Sequence, residues 1–159
     1  CTGWGFADSL AASAVGKPIL LVNNRGLTPE QKAFLAESSG KFVIIGGESA
    51  VSPAIAEALA EYGDVERLSG ANRYETSVAV AKRFFNAPEN AILAYAQNFP
   101  DGLCGGPLAY NLNAPLLLIA TGRGPGVVTY AREQGIDAGA VLGGAGLIDE
   151  ATVNSVFIG

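Results

Sequence analysis

A chain of 159 residues with 49% hydrophobic and 16% charged side chains can bury a core without staples and is too apolar to stay disordered. A formal net charge of −5 and the lack of any histidine argue against broad attraction to nucleic acid or an anionic membrane and remove the commonest general base and metal ligand. No apolar run reaches the roughly 18 residues of a membrane span, and Cys1 and Cys104 suggest neither a disulfide framework nor a metal site.

In chain order, short runs rich in Ile, Leu and Val alternate with helix-like stretches. The pattern predicts a helix over 8–15, a strand over 18–22 and a helix over 29–37, which Thr28-Pro29-Glu30 opens with a capping hydroxyl and a first-turn proline. A strand over 42–45 follows, then a helix over 53–62 started by Ser52-Pro53. Its Ile55, Ala58, Leu59 and Tyr62 share one face, and Glu57 and Glu61 mark the other. A strand over 65–68 leads to a helix over 74–85, whose late Lys82 and Arg83 suit the negative end of its dipole. Next come a strand over 91–96, a helix over 101–112, a strand over 115–119, a helix over 125–134, a strand over 140–142 and a helix over 148–156. Strands that are apolar without alternation are buried on both faces. The expected fold class is therefore α/β, a parallel sheet with helices on both faces.

The chain also repeats itself. Phe6-Ala7-Asp8-Ser9-Leu10 matches Phe99-Pro100-Asp101-Gly102-Leu103, Pro18-Ile19-Leu20-Leu21 matches Pro115-Leu116-Leu117-Leu118, and Ile44-Ile45-Gly46-Gly47 matches Val141-Leu142-Gly143-Gly144. Pro18 to Gly46 and Pro115 to Gly143 both span 28 residues, and Pro115 lies 97 residues after Pro18, which sets the length of the unit. Asp8 to Pro18 is 10 residues but Asp101 to Pro115 is 14, so copy one is expected to have lost about one helical turn. The division expected is residues 1–66 as a partial copy one lacking its first strand and 67–159 as most of copy two. The chain begins at Cys1 with nothing like a signal peptide, and a piece of a longer protein, leaning on a neighbouring repeat or on itself, is the expectation.

Three constellations have chemistry to offer. Gly46-Gly47 and Gly143-Gly144 follow strands and precede helices, where an anion can bind or where glycine simply permits the turn. Asp8 and Asp101 occupy equivalent strand-to-helix positions, suited to a catalytic carboxylate or, with less demand on partners, to an acid in the first turn of a helix. In Arg67-Leu68-Ser69-Gly70-Ala71-Asn72-Arg73-Tyr74-Glu75-Thr76, two arginines flank a turn. Their planar forks suit a carboxylate or phosphate, or a salt-bridged seal between units. Trp4 is expected to pack near its loop, and Cys104 to serve as a small buried hydrophobe in a helix.

The arginine turn, Phe6-Ala7-Asp8-Ser9-Leu10-Ala11-Ala12-Ser13, Pro18-Ile19-Leu20-Leu21 and Val43-Ile44-Ile45-Gly46-Gly47 together resemble the type 2 cell-wall-binding repeat of Gram-positive surface proteins, over essentially the whole chain. The resemblance implies a Rossmann-like, toprim-like unit, three of which form a triangular assembly. It further implies a non-catalytic anchor, extracellular and held to an anionic cell-wall polysaccharide or teichoic-acid-like polymer, with no cofactor and no metal. The family's aliphatic triplet maps onto Ile19, Leu20 and Leu21 and onto Leu116, Leu117 and Leu118. Its arginine-rich segment maps onto Arg67 and Arg73, with Asn72 and Tyr74 shaping the site. Two other readings stand beside the anchor: a Rossmann-like enzyme acting on a phosphorylated small molecule, and a purely structural repeat.

Overall fold

The computed structural model describes residues 1–38 and 40–157. Among these the elements run α1 (Ala7–Ser13), α2 (Pro29–Glu37), β1 (Lys41–Ile45), α3 (Pro53–Ala60), β2 (Asp64–Leu68), α4 (Arg73–Phe84), β3 (Asn90–Tyr95), α5 (Gly105–Asn111), β4 (Leu116–Ile119), α6 (Pro125–Gln134), β5 (Ala138–Leu142) and α7 (Glu150–Phe157). β1 and β2 pair in parallel from Lys41 against Asp64 to Ile45 against Leu68. The other sheet has the order β4-β3-β5, again all parallel. The fold is α/β, as the alternation of elements requires.

In the larger sheet β3 and β4 are buried on both faces, and their successive residues point to opposite sides. Ile92, Ala94, Leu116 and Leu118 meet Leu10 and Ala14 of the α1 region and Ala109 of α5. Leu93, Leu117 and Ile119 meet Val78 and Ala81 of α4 and Val127 and Tyr130 of α6. Burying each leucine or isoleucine contributes about 1.5–3 kcal/mol. β4 ends the sheet, and an unpaired edge needs cover. Ser77 of α4 supplies part of it: its fully buried hydroxyl accepts from the Leu118 amide at 3.1 Å and donates to the Tyr74 carbonyl at 2.7 Å.

The two copies meet across α1 and α4. Val80 of α4 joins Ala11 and Ala12 of α1 and Ile45 of β1 in one cluster, while Val78 and Ala81 of the same helix serve the core of copy two. α2 and α3 cover the far side of copy one through Leu35, Ile55 and Leu59.

Four details differ from expectation. Residues 18–22 form no ladder; only Val22 makes a parallel bridge, to Thr2. In copy two the equivalent β4 pairs along β3, ending at Tyr95 against Ile119. Thr2 and Val22 stand where Tyr95 and Ile119 stand, so the bridge is the last rung of that ladder, and 18–21 have no strand partner among the described residues. The four extra residues of copy two lie in turns over 100–104 rather than in a longer helix, since α1 and α5 are both 7 residues long. Cys104 precedes α5 and is exposed. Trp4 is 78% exposed rather than packed.

Candidate functional site

The turn from β2 into α4 is built by its own side chains. Asn72 caps α4, its Oδ1 accepting from the Glu75 amide at 3.1 Å. Glu75 reaches back, accepting from the Ala71 amide at 3.0 Å and from the Asn72 side chain at 3.3 Å. The Gly70 amide donates to Thr76 Oγ1 at 3.1 Å. Gly70 has no room for a side chain, because an added Cβ would overlap Glu75.

The two arginines of this turn are directed into the protein. Arg67 donates from Nη1 to the Gly46 carbonyl and from Nη2 to the Val51 carbonyl, both at 2.8 Å. It thereby ties β2 to the loop after β1. Arg73 donates from Nη1 to the Ala96 carbonyl at 2.6 Å, and its guanidinium lies 5.4 Å from the centre of the Phe6 ring. Asp8 stands in the field of Arg73. Burial pushes its carboxyl above the usual value of 3.8, against the pull of the Cys1 ammonium and of Arg73. Arg73 therefore links copy one, through Phe6, to copy two, through Ala96.

Asn72 is exposed, and Tyr74 is half-buried with its ring packed against the two clusters of the larger sheet. With Glu75, Arg123 and Gly124 they line a shallow groove of about 290 Å³. Arg123 also lines a wider cleft of about 450 Å³ with Tyr95, Gln97 and Thr121. The Gln97 amide donates to Tyr74 Oη at 2.7 Å, linking the two depressions. The sequence reading missed Gln97, Thr121 and Arg123. A faint signal was there: both copies carry a polar residue and then an arginine just after the aliphatic run, in Asn24-Arg25 and Thr121-Gly122-Arg123.

The aliphatic triplets have opposite surroundings. Leu116, Leu117 and Leu118 are 1%, 0% and 0% exposed. Ile19 and Leu21 are 39% and 51% exposed, and Leu20 is half-buried. The groove thus brings together Asn72 and Tyr74 alone among the residues singled out from sequence. Gly46 and Gly143 take φ of 119° and 134°, a left-handed conformation that glycine adopts at no steric cost. Asp8 and Asp101 are the nearest side chains to the positions a Cβ would take on these two glycines. Among the described residues no cluster of Cys, Asp or Glu could hold a metal ion, and no helix is long and apolar enough to cross a membrane.

Comparison with known proteins accounts for most of the chain. Residues 1–56 and 67–153 match the family described as Cell wall binding domain 2 (CWB2). The chain is 30% identical over 161 aligned residues to N-acetylmuramoyl-L-alanine amidase LytC of Bacillus subtilis (strain 168), covering 97% of this chain and 32% of that protein. It is 31% identical over 118 residues to the Amidase enhancer of the same organism, covering 71% of this chain and 17% of that one. The chain therefore spans less than a third of the length of either relative. Among solved structures it is similar to Cwp6 from Clostridium difficile, with a TM-score of 0.82, 23% identity and coverage of 96% of this chain and 26% of that one. Cwp8 from the same organism gives a TM-score of 0.81, 25% identity and coverage of 95% and 27%.

Proposed function

The chain belongs to the cell wall binding domain 2 family, whose repeats occur in cell-surface proteins, and from that premise we propose that it is a non-catalytic anchor, acting outside the cell, for an anionic cell-wall polymer. The observation that carries this is the family match over 1–56 and 67–153, which leaves little of the chain for anything else. An amidase and an amidase enhancer, both far longer than this chain, share this portion. That is the pattern of a portable attachment module. The polymer is a polysaccharide or teichoic-acid-like chain. With a net charge of −5, the module meets it through local cationic sites rather than through its overall field.

In this reading Asn72 and Tyr74 belong to the contact surface, and Arg67 and Arg73 brace the scaffold beneath it. The buried Leu116, Leu117 and Leu118 are core. Ile19, Leu20 and Leu21 offer the corresponding surface of copy one to a neighbouring repeat or to a second chain. Several weak contacts along one polymer then give lasting attachment.

Co-sedimentation with purified Gram-positive walls, before and after their anionic polymers are stripped, tests the proposal. Binding is expected to intact walls and to vanish on stripping. Equal binding to both preparations, or none to either, overturns it.

A further inference from the structure

The larger sheet has its topological switch at β3, since the chain leaves β3 for β4 on one side and returns to β5 on the other. In parallel sheets the loops beyond the strand ends part at such a point and leave a crevice for ligand. The cleft of about 450 Å³ opens there, lined from the loop after β3 by Gln97, from the loop after β4 by Thr121 and Arg123, and from the loop after β5 by Leu147.

Six arginines are present, and their partners separate them. Arg67 and Arg73 donate to backbone carbonyls, Arg83 pairs with Glu66 at 3.1 Å, and Arg132 reaches the Ser155 carbonyl at 3.4 Å. The side chains of Arg25 and Arg123 have no hydrogen-bond or ion-pair partner among the described residues, and both are exposed. These two occupy matching loops. Thr121 donates to the Leu147 carbonyl at 3.2 Å and accepts from the Asp149 amide at 3.0 Å. In copy one Asn24 donates to the Ser49 carbonyl at 3.3 Å and accepts from the Ser52 amide at 2.8 Å. An amide and a hydroxyl make the same clamp, and each clamp holds a loop that presents an arginine one or two residues later.

We infer that the Arg123 cleft is a binding subsite for an acidic saccharide unit, a phosphate or carboxylate carried on a hydroxyl-bearing residue, and that Arg25 is its counterpart in copy one. The inference rests on the anchoring proposed above and gives that function its charged contacts. Arg123 supplies the fork for the anionic oxygens. Gln97 and Tyr74, oriented by their mutual hydrogen bond, leave an amide oxygen and a phenolic proton for sugar hydroxyls. α6 starts beside the cleft without a side-chain cap, which adds the positive end of its dipole. Glu75, the acid in the adjoining groove, is already held by the Ala71 amide and the Asn72 side chain.

The test is a two-dimensional amide NMR titration of the whole chain with glycerol 3-phosphate, with glucuronate and with uncharged glucose. Shifts are expected at 97, 121–124 and 126 with an acidic ligand, with little from glucose. Arg123→Ala is expected to weaken binding at that cleft by about tenfold or more, a loss typical of a charge-assisted contact, with the remaining spectrum unchanged. A response to phosphate alone identifies a phosphate polymer as the source, and a response to glucuronate alone identifies a uronate polymer. Shifts elsewhere, or shifts indifferent to Arg123→Ala, overturn the inference. The double variant Arg25→Ala/Arg123→Ala, run in the wall assay, separates the two proposals. If it binds walls as well as the parent, the cleft is wrong and anchoring stands. If the parent itself fails to bind, anchoring falls, and the titration still decides the cleft.

Discussion

Tyr130 lies in the middle of α6 with its ring in the core, 1% exposed, and its hydroxyl has no hydrogen-bond partner among the described residues. Burial alone raises its pKa to about 12, so the phenol stays neutral throughout the physiological range. A buried hydroxyl without a partner costs about 1–3 kcal/mol of desolvation. Tyr130→Phe is therefore expected to raise stability, by up to about 1 kcal/mol once lost dispersion contacts are counted, and urea unfolding of the two proteins measures it. A fall in stability would mean the hydroxyl is satisfied in solution. Such distinctions are the least legible in sequence. Tyr74 and Tyr130 are both helix residues, yet one turns its hydroxyl to Gln97 and the other buries it. Arg67, Arg73 and Arg123 likewise share a side chain, and only the loops around them decide which meets a carbonyl and which meets solvent.

At the scale of elements, Glu66 of β2 collects Lys41 of β1 at 3.0 Å and Arg83 of α4 at 3.1 Å. The hydrogen bonds from Arg83 and then from Lys41 hold its carboxyl below the usual 4.5. A depressed acid adds stability that is present above its ordinary pKa and lost as pH falls through the folded value. The parent is thus expected to lose melting temperature as the solution is acidified below pH 4.5, and Glu66→Gln to flatten that part of the curve. The test is thermal melting across the acidic range; equal slopes in both proteins would discard the clasp. Most elements were legible, because helices carry their stripes and caps locally. The strands were legible only where a neighbour exists. Pro18-Ile19-Leu20-Leu21 and Pro115-Leu116-Leu117-Leu118 read alike, yet only the second is a strand, because β3 supplies a ladder for it. The burial of one triplet and exposure of the other follow from the same cause. The groove escaped sequence reading for a related reason. With the adjoining cleft it gathers Asn72, Tyr74, Glu75, Gln97 and residues 121–126, segments that only the parallel crossovers bring together.

For the whole molecule the question is whether two copies fold as one. α4 serves both cores, through Val80 on one side and Val78 and Ala81 on the other, and Arg73 at its first turn links Ala96 to Phe6. A hydrogen bond from a charged donor is worth about 1.5–3 kcal/mol and the cation–π contact about 0.5–2 kcal/mol. Arg73→Ala is expected to cost a sum within those ranges and to uncouple the copies. Amide NMR signals of β1 and α3 report on copy one, and those of β3 and β4 report on copy two. Their urea transitions are expected to coincide in the parent and to separate in Arg73→Ala, with Arg73→Lys between, since lysine keeps the charge but loses the fork. pH supplies a further signature. Asp8 is held above 3.8 by burial, and an acid with a raised folded pKa loses stability as pH climbs from the unfolded toward the folded value. Removing Arg73 takes away part of the opposing pull, so the decline in the variant should reach higher pH than in the parent. Coincident transitions with an unchanged pH profile would mean that α4 couples the copies by its apolar contacts alone. Arg73 would then be released from the seam. A loss of wall binding by fully folded Arg73→Ala would place it at the polymer, as its likeness to the family's arginine segment implies.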